Sequence, residues 1–485
     1  MKRGIIAVAW LSAFAQASYA ANWLELENNE PTSAKAYRFW GFIQPQYTYN
    51  EGSAVEGIAV PPALKVYDGQ TSLNNLVGPD FSHQNTAQIF RARPGVRGVI
   101  PGTGDKMNYF LLAELGNNGI TEVKQSPNSY RYTPALTDAT VTFNTSATRI
   151  RVGLGRLPLG EEAMHGEPAM NYASLTNVSD QLLNERFVDP YYSGRPEVPL
   201  FGVPMTQMTL SGLAGGANNL ACATPGHCMG ALNDKPVGAF RDIGIEAYDW
   251  FNRGKWEYSY ALMVSDGNGI EYSNNGNYDI SGRLQASYVF GGAGPNRDDA
   301  SAYVWHQEGK RNYNGQDYTR IREGFGGNYK HDNFRLGGEY IRAKGMIYYG
   351  VIAPFNDIGG IAFEPVDQMA LNSSDTAKGY YVDMGWQFMP KWEADLRYDN
   401  LDKLPNSAYD ERLFSTVTYG MQYFFSTNLR FMVNYEVRKI SVPNPLAYLS
   451  EPAAIQANAH TQLTDAAIIA GSIGNRIIAQ CTYTF

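Results

Sequence analysis

Arginines separated by a single residue recur along this chain: Arg91 and Arg93, with Arg97 beyond them, then Arg149 and Arg151, then Arg320 and Arg322. On a β-strand that spacing puts both side chains on one face. A guanidinium stays charged and offers a planar fork of donors suited to carboxylates and phosphates. The chemistry implied is anion pairing or a fixed field, rather than bond making. The stretch from Pro158 to Ala239 supplies opposing charge, with Glu161, Glu162, Glu167 and Glu185 among its acids and only Arg186, Arg195 and Lys235 as bases. An acidic segment facing a basic wall would set up a transverse field that orients dipolar solutes. Alternatively, the arginines pair with acids such as Glu114 or Asp138 and hold the wall. Both readings stay open at this level.

Little else could do chemistry. There are six histidines, and only His306 falls on a strand-like segment, with inward parity expected. Neither G-x-S-x-G nor H-E-x-x-H occurs, so no enzyme is expected. No cofactor motif and no metal-ligand set are found. Cys222 and Cys228, in A-C-A-T-P-G-H-C, are expected to form a small-loop disulfide if the chain is exported. A metal site with His227 would need further ligands, which are not nearby.

The elements that must position these charges alternate strictly. Trp392, Ala394, Leu396 and Tyr398 interleave with Glu393, Asp395, Arg397 and Asp399. Leu429, Phe431, Val433, Tyr435 and Val437 interleave with polar residues in the same way. In the last strand, Ile477, Ala479, Cys481, Tyr483 and Phe485 form one apolar face, with Ile478 breaking the polar one. Charges this regular cannot face lipid, so they are expected to line a wet interior. Sixteen such segments are read between Arg38 and Phe485, joined alternately by seven short turns and eight longer loops. The expected fold is a transmembrane antiparallel β-barrel of sixteen strands. Eighteen would require Val203 to Leu213 to be a strand, against which Pro204 argues. The stretch 158–239 becomes the third long loop, expected to fold into the barrel.

Residues 1–20 read as a cleaved signal peptide, with Lys2 and Arg3 before an apolar run and Ser18-Tyr19-Ala20 as the cleavage site. Residues 21–37 follow as a short periplasmic segment, and 38–485 as one barrel domain. Subtracting Lys2 and Arg3 takes the net charge from −8 to about −10. That balance argues against nucleic acid as a partner. With 33 Tyr and 49 Gly the composition suits a barrel embedded in outer-membrane lipid, with aromatic girdles and a polar lumen passing small solutes and ions.

Four segments carry a family resemblance: F-R-A-R-P-G-V-R-G (90–98), L-T-D-A-T-V-T-F (136–143), R-I-R-V-G-L-G-R-L-P-L-G-E-E (149–162) and N-E-R-F (184–187). Together they resemble the phosphate-selective porin O/P family. The likeness is read mainly over the first half of the chain, with the second half generic barrel strand. It implies a homotrimeric sixteen-stranded outer-membrane channel, some members being selective for phosphate or polyphosphate through a ladder of basic residues. No such ladder is found here, so the expectation is a passive diffusion channel for small hydrophilic solutes and ions. A phosphate- or polyphosphate-specific channel, and an adhesin or receptor barrel, are the alternatives.

Overall fold

Period-two alternation of apolar and polar residues asks for strands with one face in lipid and one inside, and closure removes every exposed edge. The computed structural model describes residues 35–54, 71–73, 80–82, 85–104, 106–116, 118, 134–184, 222–224, 227–228, 240–267, 269–270, 276–292, 297–313, 316–348 and 369–485. Sixteen strands form a single closed antiparallel barrel. They are β1 (Arg38–Asn50), β2 (Asn85–Val99), β3 (Met107–Glu114), β4 (Ala135–Asn144), β5 (Arg149–Arg156), β6 (Arg241–Arg253), β7 (Trp256–Ser265) and β8 (Asp279–Gly291) in the first half. The second half gives β9 (Asp298–Tyr313), β10 (Gln316–His331), β11 (Phe334–Lys344), β12 (Thr376–Met389), β13 (Trp392–Lys403), β14 (Arg412–Phe424), β15 (Leu429–Ser441) and β16 (Arg476–Thr484).

Closure is made by the C-terminal strand. β16 pairs with β1 from Phe42↔Thr484 to Asn50↔Arg476. Gly41 and Phe485 exchange both backbone hydrogen bonds at 3.0 Å. β5 pairs directly with β6. No strand therefore lies between them, which removes the eighteen-stranded alternative; Val203 to Leu213 itself lies outside the described residues.

Outward positions carry the apolar residues. Leu284, Val304, Phe325, Trp386 and Tyr419 are each more than half exposed, as lipid-facing residues of a lone chain must be. Aromatic side chains meet one another near the short turns, as with Trp392 and Tyr423 at 4.7 Å and Trp256 and Tyr288 at 5.2 Å.

Two connections differ from the expected loops. One of the eight longer loops read from sequence, Lys310 to Asp317, is mostly strand, since β9 and β10 continue to Tyr313↔Gln316. Arg311 on β9 grips both oxygens of the Asp279 carboxylate, at 2.7 and 2.8 Å, and secures that extension. Residues 441–474, the last of the longer loops, are partly helical. They contain helix α3 (Gln456–Ser472), whose Ala459, Leu463, Ala466 and Ala470 are buried at a spacing of three or four. Three two-stranded ladders, 71–73 with 80–82, 222–224 with 227–228, and 347–348 with 369–370, lie in other long connections.

Candidate functional site: the barrel interior and the segment across it

The first residues after β5 turn into the barrel interior. Leu157 closes the strand exit by donating its backbone N–H to Phe240 O at 2.9 Å. The chain then makes a one-turn helix α1 (Glu161–Met164), a 3-10 turn (Glu167–Ala169) and helix α2 (Asn177–Leu182). Thr176 caps α2 by accepting from Ser179 N at 3.3 Å. The Glu162 carboxylate in turn accepts from the Thr176 backbone N–H at 3.1 Å.

The segment is seated on apolar contact. Leu159, Val178 and Leu182 are at most 2 % exposed and share one cluster with Trp305, Ile341, Tyr381, Leu401 and Phe414, all inward residues of the barrel strands. Ile478, which breaks the polar face of β16, packs with Ala173 of this segment and Met432 of β15. Burying such side chains stabilises by roughly 1.5–3 kcal/mol each, so these inward apolar positions hold an inner element rather than line water.

Polar bonds tie the segment to the wall on several sides. Gln44 of β1 donates to Glu167 O at 3.3 Å. Arg283 of β8 donates to Leu159 O at 2.8 Å and to Glu161 at 2.7 Å. Arg397 of β13 donates to Ser174 O at 2.9 Å and pairs with Glu162 at 3.2 Å. Asp399 accepts from the Asn177 backbone and side chain at 3.0 and 2.7 Å. Arg430 of β15 donates to Pro168 O at 2.8 Å. The segment therefore crosses the interior from one side of the ring to the other.

Glu167 is the electrostatic centre of this crossing. Its carboxylate pairs with Arg93 at 2.5 Å, Arg156 at 2.6 Å and Arg241 at 3.5 Å. Arg93 also binds Glu114 at 2.5 Å, and Arg241 binds Asp138 at 3.0 Å. Burial works to raise the Glu167 carboxyl, but Arg156, Arg93 and Arg241 outweigh it and hold it well below the usual carboxylate range. Burial likewise opposes ionisation of Glu161, and Arg283 with His165 brings it down to about 2.

The remaining arginines singled out in the sequence are placed as follows. Arg91 donates to Gln44 Oε1 at 3.0 Å, and Arg97 lies 5.5 Å from the centre of the Phe110 ring. Arg149 pairs with Asp249 and stacks 4.0 Å from Trp250. Arg151 pairs with Glu246 at 2.6 Å. Arg320 and Arg322 both donate to Leu182 O, at 3.2 and 2.9 Å, at the C-terminal end of α2. The structure brings Arg91, Arg93, Glu167 and, through Arg283 and Arg397, Glu161 and Glu162 around one segment. Arg149 and Arg151 pair along the wall. Glu185 lies outside the described residues. Cys222 stands opposite Cys228 in its small ladder; their side chains lie outside the description.

His306 corrects an expectation. Its neighbours Trp305 and Gln307 are buried inward, while His306 is 48 % exposed on the outer face beside Glu308 and Glu323. Missed from sequence were Arg156, Arg241 and Arg283, while Arg397 was read as an inward charge but not as a partner of Glu162. Arg156 stands at an odd offset from Arg151, so plain alternation puts it on the lipid face. Gly153, at φ 127°, lies between them and interrupts the alternation.

A closed antiparallel barrel with an apolar outer face and charged inner positions is an outer-membrane β-barrel, and its kind is that of channels for small solutes. The sequence model of the family described as phosphate-selective porin O and P matches residues 312–459, from the end of β9 into α3. The resemblance read from sequence names the same family, but this match falls in the second half rather than on the motifs of the first. No curated protein matches the chain. Among solved structures, a loop-deletion form of Vibrio cholerae OmpT is 8 % identical, with 93 % of this chain and 100 % of that one covered at a TM-score of 0.48. An anion-selective porin from Comamonas acidovorans is 12 % identical, covered 93 % and 100 %, at 0.45. The channel DcaP of Acinetobacter baumannii is 12 % identical, covered 94 % and 99 %, at 0.46. The barrel and the match over residues 312–459 point to an outer-membrane channel of the porin type.

Proposed function

We propose that the chain is a narrow passive channel for small hydrophilic solutes and ions, with weak anion preference and no catalytic activity. The observation that carries this is the charge balance around Glu167, where the inner segment meets β2, β5 and β6. Arg91, Arg93, Arg156 and Arg241 gather there against Glu114, Asp138 and Glu167, four positive groups against three negative. Toward the short-turn edge, Arg297, Arg335, Arg430 and the inward Lys330 meet Glu257, Asp299, Asp383, Glu393 and Asp395, four against five. Each sector carries one excess charge, of opposite sign. The transverse field is therefore that of two small residues of charge rather than of a bare arginine ladder.

The reading extends to orientation and assembly. Short turns face the periplasm and long connections face outward, following the usual asymmetry of such barrels. Residues 1–20 are a cleaved signal peptide, 21–37 a periplasmic segment, and the working unit a homotrimer in outer-membrane lipid. Cys222 and Cys228, cross-strand partners in backbone register, are bonded in the mature protein; non-reduced peptide mass spectrometry finding both thiols free would remove that assignment.

The test is reversal potential across a planar bilayer in a potassium chloride gradient. A small anion preference with chloride current unaffected by millimolar phosphate is expected. Cation preference would defeat the charge-balance reading. Block by low phosphate would establish the phosphate-specific alternative.

A further inference from the structure

Inside the barrel, charges are matched by short, buried bonds. Outside it, one row is not. Backbone register aligns His306, Glu323, Arg342, Lys378 and Asp402 on five consecutive strands, β9 to β13. All five point outward, since Gln307, Arg322, Ile341, Ala343, Ala377, Leu401 and Lys403 beside them are buried inward. Lys344 lies on the same outer face, two residues beyond Arg342.

The next outward row toward the middle of the barrel is Val304, Phe325, Tyr340 and Tyr380. Phe325 and Tyr340 touch at 5.6 Å, and Tyr380 reaches Tyr398 at 6.0 Å. That row has the character of the aromatic belt that marks a membrane interface. The charged row therefore begins one strand step, roughly 7 Å, above it, at headgroup depth. Ionised groups could not sit deeper in lipid.

The order of charge along the row is the informative feature. Reading from β10 to β13 it runs Glu323, Arg342, Lys378, Asp402. Arg342 and Lys378 are direct cross-strand partners, and like charges so placed destabilise a sheet. Their acidic neighbours do little to relieve this. Arg342 stands 3.7 Å from Glu323 and Lys378 stands 3.6 Å from Asp402. Arg342, Glu323 and Lys378 are 47, 40 and 54 % exposed. Such exposed pairs contribute about 0–1 kcal/mol, so the row does not exist to hold the wall. An anion seated between Arg342 and Lys378, and within reach of Lys344, would turn the repulsion into attraction.

We propose that Arg342, Lys344 and Lys378 bind a phosphate of the phosphorylated glycolipid in the outer leaflet, fixing it against the β11–β12 wall. Basic clusters next to the apolar span bind anionic headgroups in this way. The aromatic row directly beneath offers the surface on which an acyl chain lies. Glu323 and Asp402 bracket the phosphate and limit the site to a single group.

The inference rests on the orientation given above, in which the long connections face the cell exterior. A membrane-impermeant maleimide reports that separately: a Lys378→Cys protein in whole cells is expected to be labelled, and absence of label would overturn the outer-leaflet placement. For the site itself, purified delipidated protein is incubated with rough-type lipopolysaccharide, its dephosphorylated form, or inorganic phosphate, and bound lipid is read by native mass spectrometry. Retention of the phosphorylated form alone is expected. The Arg342→Ala/Lys344→Ala/Lys378→Ala protein is expected to bind at least tenfold more weakly, while Arg342→Lys keeps most of the binding. Heat-modifiable electrophoretic mobility checks folding, and Lys378→Gln alone replaces the triple change if that protein does not fold. Equal retention of the dephosphorylated lipid, or unchanged binding by the folded variants, would overturn the site. So would loss of the oligomer in those variants, which would make this face a contact with a second copy of the chain.

Discussion

Replacing Glu167 by Gln removes one negative charge without changing the shape of the side chain. The carboxylate serves Arg93, Arg156 and Arg241 together. After the change, four guanidiniums would face only Glu114 and Asp138, so the local excess rises from one positive charge to two. An ion passing about 6 Å away in a water-like medium would feel about 0.7 kcal/mol from the added charge. With a Debye length near 8 Å, screening leaves roughly half, about 0.3 kcal/mol. The sign is favourable for an anion and unfavourable for a cation, so the two effects multiply. The anion-to-cation permeability ratio should therefore rise about threefold, since 1.4 kcal/mol is tenfold and the combined shift is roughly 0.7 kcal/mol.

The same substitution has a structural cost. Breaking a buried, hydrogen-bonded charge cluster typically costs about 3–5 kcal/mol. The apolar seat of Leu159, Val178 and Leu182 does not depend on Glu167, so the barrel should still form. The assay is reversal potential in a salt gradient on refolded protein, with unfolding followed by heat-modifiable mobility. Refutation would be a permeability ratio that stays level, or moves toward cations, in a protein that has folded. Either result would mean that the permeating ions do not pass within reach of the Glu167 cluster.

Two further expectations follow from the same geometry. Gly153→Ala should sharply lower the folded yield, because φ there is 127° and an added Cβ would lie 2.1 Å from Ala139 O on the neighbouring strand; a normal yield would show that β5 can relax. The Glu161 carboxyl is held down to about 2 against an ordinary 4.5. A lowered folded-state value gives stability that is complete above about 4.5 and lost as pH falls toward about 2. Single-channel conductance should thus be constant from pH 8 to about pH 5 and become noisy or larger below about pH 4, and a change centred near neutrality would contradict this.

Much of the wall was legible in the sequence because the membrane imposes a strict rule. A strand that fails to alternate exposes charge to lipid, so the bounds of β1 and the closure by β16 could be read directly from spacing. The inner segment was harder to read. Its acids were visible, but their partners were not, since Arg283, Arg397 and Arg430 come from strands 122 to 262 residues away in sequence. Arg156 was hidden for a local reason, the break in alternation at Gly153. His306 was misplaced because one residue of register reverses a side chain, and Tyr303 and Trp305 beside it carry inward apolar groups where polar ones were expected.

Those inward apolar groups held a signal that alternation alone treats as noise. In a simple water-filled barrel, Tyr303, Trp305, Ile341, Tyr381, Leu401 and Phe414 would face water. They lie on β9, β11, β12, β13 and β14, and all are at most 4 % exposed. What covers them includes Leu159, Val178 and Leu182. An apolar cluster on the polar face of several strands therefore requires an amphipathic element inside the barrel. The connection that begins just after β5 supplies Leu159, Val178 and Leu182, and the last long connection adds Ile469 and Ala470. The wall selects the segment that packs inside it by the same rule that orients it in the membrane: each face takes the residues its surroundings demand, and the exceptions mark where a second piece of chain becomes the surroundings.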